Sequence, residues 1–189
     1  LRRRHALRAL GGRYTDGHHP AGTGRRRRRR ARHRAGGARG DVVVGALVVV
    51  NAVGDVRDPD TGALIAGARE APDSLRLVDS ARELAGGRAL ERFAAPENTT
   101  IGAVATNARL SKPEAQKLAS LAMLGFARAL SPPHTAFDGD TLFALSVGDV
   151  PADITRLGLA AADAVAHAIV RGVRAATPLP GLPAARDLE

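Results

Sequence analysis

No cysteine occurs among the 189 residues. Disulfides, a thiolate nucleophile and cysteine metal sites are therefore excluded. Long apolar runs are also missing. The longest, Val42 to Val50, falls far short of the roughly 20 residues that a membrane-spanning helix needs. No apolar signal core follows the basic first residues, so no secretory leader is read. The expected compartment is the cytoplasm, and no membrane partner is expected. Aromatic residues make up 3% of the chain, and Tyr14 is the only one in the first 40 residues. A base-stacking platform for nucleic acid is thereby excluded from that region. No two histidines have metal-ligand spacing, and Asp138-Gly139-Asp140 is far from the ligand pattern of a calcium loop. Neither a metal nor a cofactor is expected. Gly36-Gly37 lacks the strand and helix of a phosphate loop, and no nucleophile-elbow pattern is present.

What is abundant is arginine, and it is unevenly spread. Residues 1–40 hold 14 arginines and a single acid, Asp16, for a charge of +13, whereas residues 41–189 carry −4. Arg25 to Arg30 is an unbroken block. Six like charges repel, and little apolar surface is available to offset ordering entropy. Residues 1–40 are predicted to be a disordered tail that binds nucleic acid only non-specifically, through phosphate neutralisation. Residues 41–189 form the one domain.

Within that domain, Val42 to Val50 is a continuous, largely β-branched run, which predicts a strand buried on both faces. Asn51 ends it, and Asp58-Pro59-Asp60-Thr61-Gly62 is a turn. Residues 70–97 read as loop with short helical pieces around Ser74 to Leu84. Ile101 to Thr106 is a second strand. Ser111-Lys112-Pro113-Glu114 is a capping box for a helix whose apolar face carries Leu118, Leu121, Ala122, Gly125 and Ala129, and Ser131-Pro132-Pro133 stops it. Thr141 to Val147 is a third strand. Asp149 and Pro151 are expected to open a second long helix, with Ile154, Leu157, Ala161, Val165, Ala168 and Gly172 along one face. Strands alternating with helices predict a layered α/β domain.

Three polar points fall at the ends of these strands: Asn51, Asn98-Thr99-Thr100, and Asp138-Gly139-Asp140. Strand ends are where sites gather in layered α/β folds, and the chemistries are complementary. A hydroxyl can attack, an amide can donate to an oxyanion, and carboxylates can orient a group or hold a proton. Cleavage of Asn98-Thr99 would place a free amine beside the Thr99 hydroxyl, a nucleophile and a base in one residue. Asn-Thr-Thr ahead of a strand is also ordinary turn chemistry, and from the residues alone both readings stand.

Three ordered blocks decide between them: Val44-Gly45-Ala46-Leu47-Val48-Val49-Val50-Asn51, Asn98 through Ala108, and His134-Thr135-Ala136-Phe137-Asp138-Gly139-Asp140-Thr141-Leu142-Phe143-Ala144-Leu145. Together they resemble the L-aminopeptidase/D-Ala-esterase-amidase family, the DmpA-like branch of the self-processing bacterial hydrolases related to ornithine acetyltransferase, over about residues 42–175. The resemblance implies a four-layer αββα sandwich and self-cleavage between residues 98 and 99. It also implies aminopeptidase, amidase or esterase activity on small peptides, amides or esters, and a homo-oligomer of processed subunits. On this reading Thr99 is the nucleophile, Asn98 precedes the cut, Asn51 fills the oxyanion hole, Asp138 and Asp140 support the nucleophile, and Thr100 is a supporting hydroxyl. Acetyl transfer is the enzymatic alternative, because Asp-Gly-Asp-Thr is also close to the acetyltransferase branch.

The chain departs from the family pattern at Asn107, where aspartate is usual, and at Met123-Leu124, where many relatives carry His-Asp. The resemblance implies an upstream segment that supplies substrate-pocket residues; it is expected to be missing here, with an arginine block in its place. A shifted reading frame in a GC-rich gene produces such a block. The chain is accordingly expected to be a truncated member, incomplete at the N-terminus. An inactive fragment with a nucleic-acid-binding tail is the second alternative. His134, after two prolines, and His167, on a helix, are read as a loop residue and a packing or surface residue.

Overall fold

The computed structural model describes residues 7–15, 42–87 and 98–188. Its larger sheet has four strands, β1 (Leu7–Thr15), β2 (Val43–Val50), β5 (Ile101–Ala108) and β7 (Thr141–Val150), in the order β1-β2-β5-β7. The pairs β1–β2 and β2–β5 are antiparallel, whereas β5 and β7 are parallel. A small second sheet, β4-β3-β6, joins β3 (Asp55–Arg57), β4 (Leu64–Ala66) and β6 (Leu130–Ser131). Among the described residues the α-helices are α1 (Ser80–Ala85), α2 (Lys112–Ala122), α3 (Leu124–Ala129) and α4 (Ile154–Arg174). The architecture is mixed α/β.

The core lies between the large sheet and its helices. β2 turns Val44, Ala46, Val48 and Val50 inward, and α4 packs on this strand and against α2 and α3. α4 buries Leu157, Ala161, Val165, Ala168, Ile169 and Val173 on one stripe. Each large aliphatic side chain so buried contributes about 1.5–3 kcal/mol. Phe126 of α3 is fully buried at the centre. Gly125 lets α3 approach α4: a Cβ there would stand 2.5 Å from the Ala162 carbonyl oxygen.

Several expectations are corrected. The Val42–Val50 run is buried on one face, not two, for Leu47 is 50% exposed. Helices cover a single side of the sheet, and the run's apolarity answers the alternation only on that side. The helix after Ser111 divides at Met123 into α2 and α3, where an N–H from Phe126 reaches Met123 O, a tight i→i+3 bond. The long helix is capped by Asp153, whose side chain accepts from Arg156 N–H, and Asp149 lies within β7. The strand simply runs on through that residue. Disorder over residues 1–40 does not hold for Leu7–Thr15, whose backbone pairs with β2 from Leu7↔Val50 to Thr15↔Val43. The β2 edge offers a row of hydrogen-bonding groups, and pairing satisfies them irrespective of the added strand's side-chain pattern. The remainder of residues 1–40 lies outside the described residues. So do residues 88–97, the latter part of the expected loop.

The capping box is present as expected, with Ser111 N–H and hydroxyl both on Glu114 at 2.8 and 2.6 Å. These bonds hold the Glu114 carboxyl below its ordinary range. Asp58 Oδ1 accepts from Asp60 and Thr61 N–H in the turn, and Gly62 supplies its positive φ of 74°.

Candidate active site

The three polar points of the sequence meet at one end of the large sheet, linked by hydrogen bonds between β2, β5 and the loop ahead of β7. Thr99 N–H donates to Asn51 O at 2.8 Å, and Gly139 N–H donates to Asn98 O at 3.0 Å. Asn98 and Asp138 form a parallel bridge just ahead of the β5–β7 pairing. Extension of that parallel register beyond the strand ends brings the Asn-Thr and Asp-Gly-Asp segments side by side.

At the proposed bond the geometry is specific. The Thr99 hydroxyl donates to the carbonyl oxygen of Asn98 at 2.7 Å. That oxygen thus receives two donors, the Thr99 hydroxyl and Gly139 N–H. Two donors on one carbonyl oxygen polarise the carbonyl and lower the cost of negative charge on the oxygen. The Gly139 contribution is backbone only and carried no signal in the residue types.

The two carboxylates hold the frame. Asp140 Oδ1 accepts Thr100 N–H at 2.8 Å. Asp138 Oδ1 accepts Val53 N–H at 3.1 Å, which ties the segment after Asn51 to the segment before β7. Its Oδ2 accepts the N–H and hydroxyl of Thr135 at 3.0 and 2.6 Å. Asp140 thus holds the backbone next to Thr99, while Asp138 holds the segment after Asn51 and its own loop. Thr100 is fully buried, and its hydroxyl has no hydrogen-bond partner.

Sequence reading set aside one residue that belongs here. His134 Nδ1 stands 2.9 Å from Asp140 Oδ2, and its ring stacks on Phe126 with centroids 5.7 Å apart. A lone histidine after two prolines gives no hint of this, because the contact depends on the loop's path. Asn107, off the expected family residue, accepts Val43 N–H on Oδ1 at 2.8 Å and so pins the start of β2. An amide oxygen fills that acceptor role as a carboxylate oxygen would. His167 contacts the carbonyl of Asp163 on its own helix, away from the site. Among the described residues no group of His, Cys, Asp or Glu could hold a metal ion.

The chain belongs to peptidase family S58, whose model matches residues 17–186. The match takes in the arginine block as well as the motif blocks. The chain is 40% identical over 168 residues to an uncharacterized aminopeptidase of Mycobacterium tuberculosis, covering 78% of this chain and 48% of that protein. It is 42% identical over 162 residues to one from Mycobacterium leprae, covering 74% and 42%. A 6-aminohexanoate-oligomer endohydrolase of Kocuria sp. is 34% identical over 114 residues, covering 59% and 31%. The relatives' names are those of hydrolases. The chain spans about half the length of the curated aminopeptidases it matches. Among solved structures, a β-aminopeptidase of Burkholderia sp. superposes with a TM-score of 0.40 at 24% identity, covering 70% of this chain and 37% of that one.

Proposed function

We propose that this chain carries the processing site of a self-cleaving aminopeptidase or amidase-esterase with a threonine nucleophile. The observation behind this reading is the 2.7 Å contact from the Thr99 hydroxyl to the carbonyl oxygen of Asn98. In the first step Thr99 Oγ1 attacks the Asn98 carbonyl carbon. The tetrahedral oxyanion forms on the oxygen that Gly139 N–H already contacts. The C–N bond then breaks, the hydroxyl proton ends on the departing Thr99 nitrogen, and an ester remains. Water hydrolyses the ester and leaves an Asn98 carboxylate and a free Thr99 amine. That amine is the base for the same hydroxyl in every later turnover.

In turnover Thr99 attacks an amide or ester carbonyl and forms an acyl-enzyme, which water cleaves. The Asn51 amide donates to the substrate oxyanion. Asp138 and Asp140 are positioning groups that act through the backbone, and Thr100 fills the base of the site. The substrates are small peptides, amides or esters opened at the amino-terminal residue. The relatives named for 6-aminohexanoate oligomers favour hydrolysis of amide bonds over acetyl transfer.

The whole enzyme is read as a four-layer αββα sandwich and a homo-oligomer of processed subunits in the cytoplasm. The outer sheet face supports the stacked layer: Leu47, Ala103 and Phe143 form one cross-strand row, and Phe143, Leu145 and Val147 are all exposed. An apolar face of this kind suits a second sheet. Intact-mass and amino-terminal analysis tests the processing claim. Appearance of the two pieces 1–98 and 99–189, with Thr99 as a new terminus, is expected. A chain that stays whole under native conditions refutes it.

A further inference from the structure

We propose that His134 is a positioning residue of this site, holding Asp140 in the orientation that fixes Thr100 and, through it, Thr99. The inference rests on the threonine-nucleophile reading above for its functional consequence, but its geometry is independent of it.

Three observations converge on this histidine. First, the Asp140 side chain is only 2% exposed, its Oδ2 has no hydrogen-bond partner, and His134 Nδ1 stands 2.9 Å from that oxygen. A buried carboxylate oxygen without a donor is costly. At 2.9 Å, Nδ1 is the group placed to supply that donor when it carries the ring proton. Second, the imidazole is fixed on its other side by the stack against Phe126, itself fully buried. Third, the His134 backbone has φ of +48°, a left-handed conformation uncommon for a residue with a side chain. Surrounding contacts must hold such a conformation in place, and the stack on Phe126 and the close approach to Asp140 do so.

The consequence follows along one side chain. Asp140 Oδ1 accepts Thr100 N–H while Oδ2 meets His134. Held at both oxygens, the carboxylate cannot rotate. Thr100 is thereby fixed directly after Thr99, whose hydroxyl must stay on the Asn98 carbonyl. Without His134, Oδ2 would turn toward water at the partly exposed imidazole's place, and Oδ1 would leave Thr100.

Two substitutions separate the donor from the ring. His134→Phe keeps an aromatic face for Phe126 and lacks the donor. His134→Asn lacks the ring but carries an amide N–H close to where Nδ1 lies, and asparagine tolerates positive φ better than most residues. Hydrogen exchange at the Thr100 amide reads the positioning directly, and the rate at which the Thr99 terminus appears reads its effect on chemistry. In His134→Phe, Thr100 exchange should quicken by at least about tenfold and cleavage should slow by at least about tenfold, since small misplacements at a reacting centre cost that much or more. His134→Asn should stay within about threefold of the parent on both counts. Retained Thr100 protection in His134→Phe, or its loss in both variants, overturns the proposal. A parent chain that never cleaves but shows this exchange pattern refutes the nucleophile reading and leaves His134 in its role.

Discussion

A Cβ placed on Gly139 would stand 2.8 Å from the Thr99 hydroxyl oxygen, so Thr99, the proposed nucleophile, and the loop opposite are in contact with no room for a methyl group. The threonine side chain is too short to yield without rotating away. Gly139→Ala is therefore expected to turn the Thr99 hydroxyl off the Asn98 carbonyl. Self-cleavage should slow by about 10²-fold, the scale on which an ångström of displacement acts at a reacting centre. A mass-spectrometric time course checks it, with circular dichroism confirming the fold. Cleavage at the parent rate would mean that the observed hydroxyl position is not the reactive one.

Asn51 is expected to separate processing from turnover. Its main-chain carbonyl takes Thr99 N–H, a bond that any residue at 51 retains. Its amide is the proposed donor to the substrate oxyanion. Asn51→Ala should then still generate the Thr99 terminus, because Gly139 N–H serves the Asn98 oxygen, while kcat on an amide or ester falls by about 10²–10³-fold. Asn51→Asp should be at least as harmful, since it sets a carboxylate beside developing negative charge. Assay of the processed enzyme against a small amide checks both, and normal turnover in Asn51→Ala excludes the oxyanion role.

The sequence made the strands and helices legible where local chemistry is self-sufficient. Ser111 and Glu114 announce a helix start because both halves of the capping box lie four residues apart at most. The period of Leu157, Ala161, Val165 and Ala168 declares its buried stripe in the same way. What escaped depends on partners distant in the chain. Whether Leu47 is covered is decided by another layer, so Val42 to Val50 could not reveal which face stays open. β1 has its place because β2 presents an unpaired edge, not because residues 7–15 alternate. At the site, Asn51, Thr99 and Asp140 were readable as side chains of fitting chemistry at strand ends. Gly139 N–H and the His134–Asp140 contact were not, since one is backbone and the other depends on a left-handed turn.

Asp55 is a second buried carboxylate, away from Thr99, and its burden is structural. It is fully buried in β3 and accepts Ala68 N–H, Ser80 N–H and the Ser80 hydroxyl at 3.1, 2.6 and 2.6 Å. Burial raises its pKa against the lowering effect of the Ser80 and Ala68 bonds. The folded chain thus binds this proton more readily than the unfolded chain. The stability from this linkage is present below the unfolded value and is lost as pH rises through the folded one. Ser80→Ala removes one lowering bond and should move that loss to higher pH. At neutral pH it should cost about 1.5–3 kcal/mol, the range for a hydrogen bond to a charged group. Urea unfolding across pH checks both, and a Ser80→Ala curve parallel to the parent's, merely displaced, would show that the bond does not influence the carboxyl.

The segment ahead of Val42 has two separable properties. Leu7–Thr15 pairs along the whole of β2, so its removal should bare the edge of a Val-rich strand. Deletion of residues 1–15 is expected to lower the thermal midpoint and promote aggregation, as unprotected edges do. Hydrogen exchange at the amides of residues 7–15 in the full chain should be slower than in the free peptide. Arg25 to Arg30 remains in that deletion, and with it the attraction for phosphates. Binding to DNA should persist there without sequence preference and weaken by roughly 10³-fold between 50 and 200 mM salt if the six arginines each neutralise a phosphate. Fast exchange over residues 7–15 with an unchanged midpoint in the deletion would show β1 to be dispensable. Binding that keeps its strength and prefers one sequence at high salt would require base contacts, which residues 16–40, without a single aromatic, are poorly equipped to make by stacking.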